Sequence, residues 1–380
     1  MKQEEGPPLE PNLHPLEKSS WPSSAFKSFV RRLIKHLIKR LIKRPLEGFL
    51  SFLLRMSPAL YTELDYGVFL PFIARMPVAW GRSLAKARGR LYAKWGRDWR
   101  NFSFGDVVHL RTRQVIEELR AEWTPEERAR IFQARFEHQS LEEYEAACLH
   151  QGVTRSWPVQ FEGLDGVMSA MDHQKRLVLV TSHFSSSILG TAFLGQLGFP
   201  VLGMSSNVVD RKEVPASVSR TYRRKYKAMG TYLNGGEILD REGNTPRFVR
   251  FLKKGGVVVI VGDLPPEPNE SPRFANFLGR KRGFAQGAQR LSDMLDAPLM
   301  SFVCQYRDGQ HWVRFSAPGE DPYAFISAQI EKDLGQWWAM DVLGAYPVEV
   351  STQAPSDEGQ VGQVGVSAEA SAKAQSKGSA

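Results

Sequence analysis

The strongest constraint on this chain is the stretch Leu177-Val178-Leu179-Val180-Thr181-Ser182-His183-Phe184-Ser185-Ser186-Ser187-Ile188-Leu189-Gly190. Its aliphatic start is a buried strand that runs straight into a histidine, and the small hydroxyl residues behind it open a helix. His183 therefore stands at the carboxyl end of a strand, where open α/β sheets put their chemistry. A second aliphatic run, Val257 to Val261, leads into Gly262-Asp263-Leu264-Pro265-Pro266. With further strands expected at about 200–204, 299–305 and 311–316 beside those at 177–181 and 257–262, the fold is α/β. Its mixed, mainly parallel central sheet is flanked by helices on both faces.

Residues 26 to 44 carry the cleanest periodicity. Phe26, Phe29, Val30, Leu33, Ile34, Leu37, Ile38, Leu41 and Ile42 repeat at helical spacing, with Lys27, Arg31, Arg32, Lys35, His36, Lys39, Arg40, Lys43 and Arg44 between them. Pro45 stops the helix. One apolar and one cationic face suit a helix lying in a membrane interface, where each basic residue near anionic headgroups contributes about 1 kcal/mol. A helix packed on the protein's own core would gain nothing from like charges four residues apart. Phe49 to Leu54 and Tyr66 to Met76 continue the apolar theme, either as helices resting on a bilayer or as ordinary core. No apolar run reaches the ~18 residues of a membrane span.

The net charge of +9 over 380 residues points to an anionic partner. Nucleic acid is a poor candidate, because no recognition motif or aromatic-basic platform accompanies the charge. Cys148 and Cys304 lie in apolar surroundings without metal spacing and read as reduced core residues. Residues 1–25, polar and proline-rich, and 351–380, rich in Ser, Ala, Gly and Gln, are expected to be disordered, with no signal peptide among them. The arm and apolar segment fill 26–56, and the α/β domain 57–350.

A third block, Phe277-Leu278-Gly279-Arg280-Lys281-Arg282-Gly283, follows at a spacing that matters. Taken together, the blocks around His183, Asp263 and Arg280 resemble the lysophospholipid acyltransferase superfamily. They are most similar to its bacterial lipid A lauroyl/myristoyl acyltransferase branch, over roughly residues 45 to 345. Thr124, Pro125 and Glu127 form a capping box that opens a helix similar to the family's helical lead-in. Arg220, Arg223, Arg224, Lys225 and Lys227, before Gly230, resemble an Arg-rich helix of the family, and Gln336-Trp337-Trp338 its closing segment.

The resemblance implies a membrane-peripheral acyltransferase on the cytoplasmic face of a bacterial inner membrane. Its donor would be an acyl-carrier-protein or coenzyme A thioester, its acceptor an envelope glycolipid or saccharide. No metal or bound cofactor is needed, since the thioester brings its own activated carbonyl. His183 would be the general base. Arg280, Lys281 and Arg282 would hold phosphate, with Gly283 and Gly287 permitting close backbone approach before a helix N-terminus.

Two departures stand out. The family's His-x-x-x-x-Asp/Glu motif needs an acid at 188, and this chain has Ile188; Ala339-Met340-Asp341 replaces a His-Arg pair. Three explanations for Ile188 compete. Asp263 could reach His183, although an Asp before Leu-Pro-Pro could also merely cap a turn. Ser185, Ser186 or Ser187, otherwise expected at the substrate, could orient His183 more weakly. Or catalysis is lost, leaving a silent lipid-binding partner in an envelope or exopolysaccharide assembly. A carboxylate within ~3 Å of His183 would favour the enzyme, and an acid-free pocket the partner.

Overall fold

The computed structural model describes residues 57–105, 107–206 and 210–349. The basic arm of residues 26–44, the apolar stretch Phe49 to Leu54 and both terminal segments lie outside the described residues.

Among the described residues nine strands form: β1 (Val159–Glu162), β2 (Arg176–Thr181), β3 (Val201–Ser205), β4 (Ile238–Asp240), β5 (Gly256–Val261), β6 (Arg273–Phe277), β7 (Arg280–Phe284), β8 (Leu299–Arg307) and β9 (Gln310–Phe315). Seven of them make one sheet in the order β1-β9-β8-β2-β5-β3-β4, and β6 pairs with β7 in a separate hairpin. Within the large sheet only β8 and β9 run antiparallel. They are joined by Asp308-Gly309, both at positive φ, a two-residue turn whose twist suits a hairpin.

The unbroken aliphatic runs have a physical reason. Val178 and Val180 of β2 pack with Val258 and Ile260 of β5 into one buried cluster, whereas Leu177 and Leu179 pack with Val257 and Val259 into another. Both faces are covered, so both parities must be apolar. The helices Thr245–Lys253, Gly287–Leu295 and Pro322–Lys332 contribute to the first cluster; Leu164–Gln174 and Ser187–Gln196 contribute to the second.

All five expected strands form. β1, β4 and the β6–β7 hairpin are additions. Residues 280–283 lie in β7, and Leu278-Gly279 is the hairpin turn, both at positive φ.

A third cluster joins the amino-terminal helices to the long helix Pro125–Gln151. The expected capping box is present: the Glu127 N–H donates to Thr124 Oγ1 at 3.2 Å, and the Thr124 N–H to Glu127 Oε2 at 2.9 Å. The carboxy-terminal half of this helix is buried nearly all round, with Arg135, Gln139, Glu142, Glu143 and Glu145 inside. The helix Val78–Trp95 crosses it closely at Gly89, where any side chain would collide with the Phe136 carbonyl. Most of these buried charges are paired. Arg88 donates to Asp65 at 2.8 Å and to Glu143 at 2.5 Å, and Tyr92 and Tyr66 donate to the same two carboxylates.

The stretch Tyr66 to Met76 divides by side chain. Tyr66, Leu70 and Ile73 are core, while Val68 and Phe72 face outward.

Arg88→Ala leaves Asp65 and Glu143 as buried carboxylates without their cation. Urea unfolding should show a loss of about 3–5 kcal/mol, well beyond that of the exposed Arg90→Ala.

Candidate active site

Parallel register sets the first pair. Thr181 of β2 is the partner of Val261 of β5, so His183 and Asp263, each two residues further on, emerge side by side at the carboxyl ends of adjacent strands. Gly262 keeps that approach open, since a side chain there would strike Val180. Asp263 is 1% exposed and accepts three N–H donors. His183 Nδ1 lies 2.9 Å from Oδ1, the His183 backbone N–H donates to Oδ2 at 2.8 Å, and the Trp337 indole donates to Oδ2 at 2.7 Å.

The segment carrying Trp337 is itself tied down. The Ser185 N–H donates to the Gln336 carbonyl at 2.9 Å and the Trp338 N–H to the His183 carbonyl at 3.0 Å. Trp338 then stands edge-on to the imidazole, ring centres 4.4 Å apart. Because a carboxylate can only accept, neutral His183 carries its proton on Nδ1 and presents the Nε2 lone pair outward. No described residue hydrogen-bonds Nε2.

The three serines take other work. Ser185 adopts positive φ, and its N–H serves Gln336; the Ser186 N–H serves the Cys304 carbonyl on β8; and Ser187 Oγ donates to Glu142 Oε1 at 3.3 Å. None hydrogen-bonds the His183 ring. Ile188 packs against the second buried cluster.

Glu142 and Lys225 were not singled out as site residues by sequence reasoning. Glu142 lies in Leu-Glu-Glu-Tyr-Glu, which reads as a solvated helix face, and Lys225 in a basic run that reads the same way. With Tyr66, Gln139, Glu143 and Trp338 they line a cavity of about 20 Å³, room for a single water. Burial lifts the Glu142 carboxyl above its usual range, against the pull of Lys225 and His183. Burial also lowers the Lys225 ammonium, although Glu142 and Glu143 face it. At His183 burial disfavours the imidazolium, but Asp263, its hydrogen bond and then Glu142 outweigh that, and the pKa is raised.

The basic block is not joined to this pair by any described hydrogen bond or ion pair. Arg282 is buried and donates to Glu118 at 2.9 Å, Arg280 lies 3.3 Å from the same carboxylate, and Lys281 pairs with Glu349 at 2.9 Å. The Gly283 N–H donates to the Pro347 carbonyl at 2.7 Å. A substrate anion would have to compete with those carboxylates. A groove of about 600 Å³ between the start of β8 and residues 318–322 is lined by none of the residues around His183.

A family model for bacterial lipid A biosynthesis acyltransferases matches residues 66–324, which span both His183 and Asp263. No curated protein matches the chain.

His183 should titrate above the ordinary histidine value of 6.5, read by NMR of the imidazole. In Asp263→Asn it should titrate lower than in the native protein, because burial then meets less opposition. The sign for stability follows: a raised folded pKa stabilises fully below the unfolded value and loses that contribution as pH rises through the folded one. Unfolding measured between about pH 5 and 8 should show this slope in the native protein and a smaller one in Asp263→Asn.

Proposed function

The chain belongs to the bacterial lipid A biosynthesis acyltransferase family, and we propose that it moves a fatty acyl group from an acyl thioester to a hydroxyl of an envelope glycolipid or saccharide. The observation that carries this reading is the 2.9 Å contact between His183 Nδ1 and Asp263, in a chain whose motif position 188 has no acid. The donor would be acyl-carrier protein or coenzyme A thioester. The work would be done from the cytoplasmic face of the inner membrane, on an anionic lipid surface. Among the described residues no helix is long and apolar enough to cross a membrane, which is compatible with peripheral attachment.

His183 Nε2 takes the proton of the acceptor hydroxyl as its oxygen attacks the thioester carbonyl. The Asp263 carboxylate holds the ring by Nδ1–H and stabilises the imidazolium that forms. As the tetrahedral intermediate collapses, the C–S bond breaks and the same proton leaves on the thiolate. A new C–O ester remains and the histidine returns to neutral. Trp337 holds Asp263, and Trp338 limits rotation of the imidazole.

Residues 280–283 have a smaller part here than their sequence suggests. Arg280 and Lys281, each more than half exposed, could exchange a carboxylate for a substrate phosphate at low cost. Arg282 supports the hairpin through Glu118.

The test is transfer of a radiolabelled acyl group from a thioester to an envelope glycolipid extract, with anionic vesicles present. His183→Ala should lower the rate about 10²–10⁴-fold. Asp263→Asn should lower it comparably, and adding Ile188→Asp should not restore it, because residue 188 faces apolar core. A folded, vesicle-bound native protein that transfers nothing from several donors would overturn the reading in favour of a silent lipid-binding partner.

A further inference from the structure

The outward face of the first described helices is bare and apolar. Leu60 is 50% exposed, Leu64 40%, Val68 61% and Phe72 56%, and Trp80 in the next helix is 66% exposed. With Val78 these are six of the fifteen exposed large hydrophobic residues among the described ones, all within residues 60–80.

Their four-residue spacing would drift around a regular α-helix, which turns every 3.6 residues. Here a wide π-turn, Asp65–Phe69, separates the helix Pro58–Leu64 from the turn Leu70–Ile73, with the Leu70 N–H reaching back to the Asp65 carbonyl. The wider turn offsets the drift and holds the four side chains in one stripe. The helix cannot roll to hide it. Tyr61, Asp65, Tyr66, Leu70 and Ile73 are buried on the other side, and Asp65 is locked to Arg88.

Cations flank the stripe. The helix Ala216–Gly230 lies alongside, its Ser217 N–H donating to Glu63 and its Arg220 neutralising that carboxylate at 2.6 Å. Arg223, Arg224 and Lys227 are exposed on the same helix, and Arg75 is exposed beyond Phe72. Of these, Arg223 is paired with Asp210, while Arg224 and Lys227 make no ion pair among the described residues.

We propose that this stripe, Leu60-Leu64-Val68-Phe72 with Trp80, is the surface by which the folded part of the protein enters an anionic bilayer. A second copy docked face to face by a two-fold axis would bring one basic rim against the other, and the basic arm of residues 26–44 would meet the same repulsion. Anionic headgroups complement the rim, and acyl chains complement the stripe. The proposal rests on the reading of a lipid-borne acceptor and deepens it. Tyr66, on the inner side of the same segment, lines the small cavity shared with Trp338, which touches His183. Docking by this face would hold the catalytic pair close to the lipid.

The experiment uses the full chain, with an environment-sensitive fluorophore on Val68→Cys or Phe72→Cys. The native Cys148 and Cys304 are buried, so labelling is selective. Vesicles of phosphatidylethanolamine and phosphatidylglycerol should blue-shift both probes, and brominated acyl chains should quench them. A probe on Met294→Cys, exposed on the helix Gly287–Leu295, should not respond. Leu64→Ser with Val68→Ser and Phe72→Ser should weaken vesicle binding at least about tenfold, with the unfolding midpoint unchanged. Vesicle-bound protein whose 68 and 72 probes stay unshifted would overturn the proposal and leave docking to another segment. A shift that needs no vesicles and grows with protein concentration would overturn it in favour of self-association. Vesicle binding is read without turnover, so failure of acyl transfer and failure of docking are separate results.

Discussion

The site depends on one buried carboxylate. Asp263 has almost no contact with solvent, and burying such a charge is costly unless its oxygens are fully engaged. Three N–H donors meet that demand, two from His183 and one from Trp337. They belong to segments far apart in sequence: the end of β2 and the loop after Gln336. Satisfying Asp263 therefore does two things together. It anchors the carboxy-terminal segment across the mouth of the sheet, and it fixes the tautomer and direction of the imidazole. Charge-assisted hydrogen bonds of this kind are stronger than neutral ones, which suits a group that must hold its geometry while a proton moves.

How much of this was legible depends on what each residue's signal is. Val178 and Val258 announce themselves because a strand covered on both faces must be apolar at every position, and that run is visible without any partner. His183 and Asp263 are legible for the same reason: each closes such a run. Their pairing is a matter of register between β2 and β5, which no single strand encodes, so Asp263 could be read equally as a turn cap. The hairpin that carries Arg280 to Gly283 was not legible, because a hairpin whose turn is Leu278-Gly279 has the same glycine-and-basic composition as an anion-binding loop. β1 and β4 are short strands at the two ends of the sheet. Trp337 was visible in a motif, but its role required knowing what lies over Asp263.

Glu142 was hidden by a different cause. A helix with glutamates at 142, 143 and 145 looks solvated, and helical periodicity cannot reveal that arginines from other elements meet them. Arg88 and Arg82 come from the helix Val78–Trp95, and they pair with Glu143 and Glu145. Glu142 has no arginine among its described partners; it meets Ser187 and the field of Lys225 and His183. Buried ion pairs add little stability over apolar packing, yet losing one partner is costly. This helix is thereby held in one position, and with it the carboxylate whose field reaches His183.

On the proposed reading the same geometry accounts for Ile188. On the helix that follows His183, Ser187 turns to Glu142 and Ile188 packs against the second buried cluster. An acid at 188 would sit against the apolar side chains of that cluster. The orienting position at Nδ1 is meanwhile occupied by Asp263, and an imidazole has only one such nitrogen to offer. The field of a second carboxylate is supplied by Glu142, from a helix some forty residues upstream. What the motif would deliver from one turn of helix is here divided between a neighbouring strand and a distant helix. The proposed chemistry asks for a held imidazole with a raised pKa, and two elements far apart in sequence provide it.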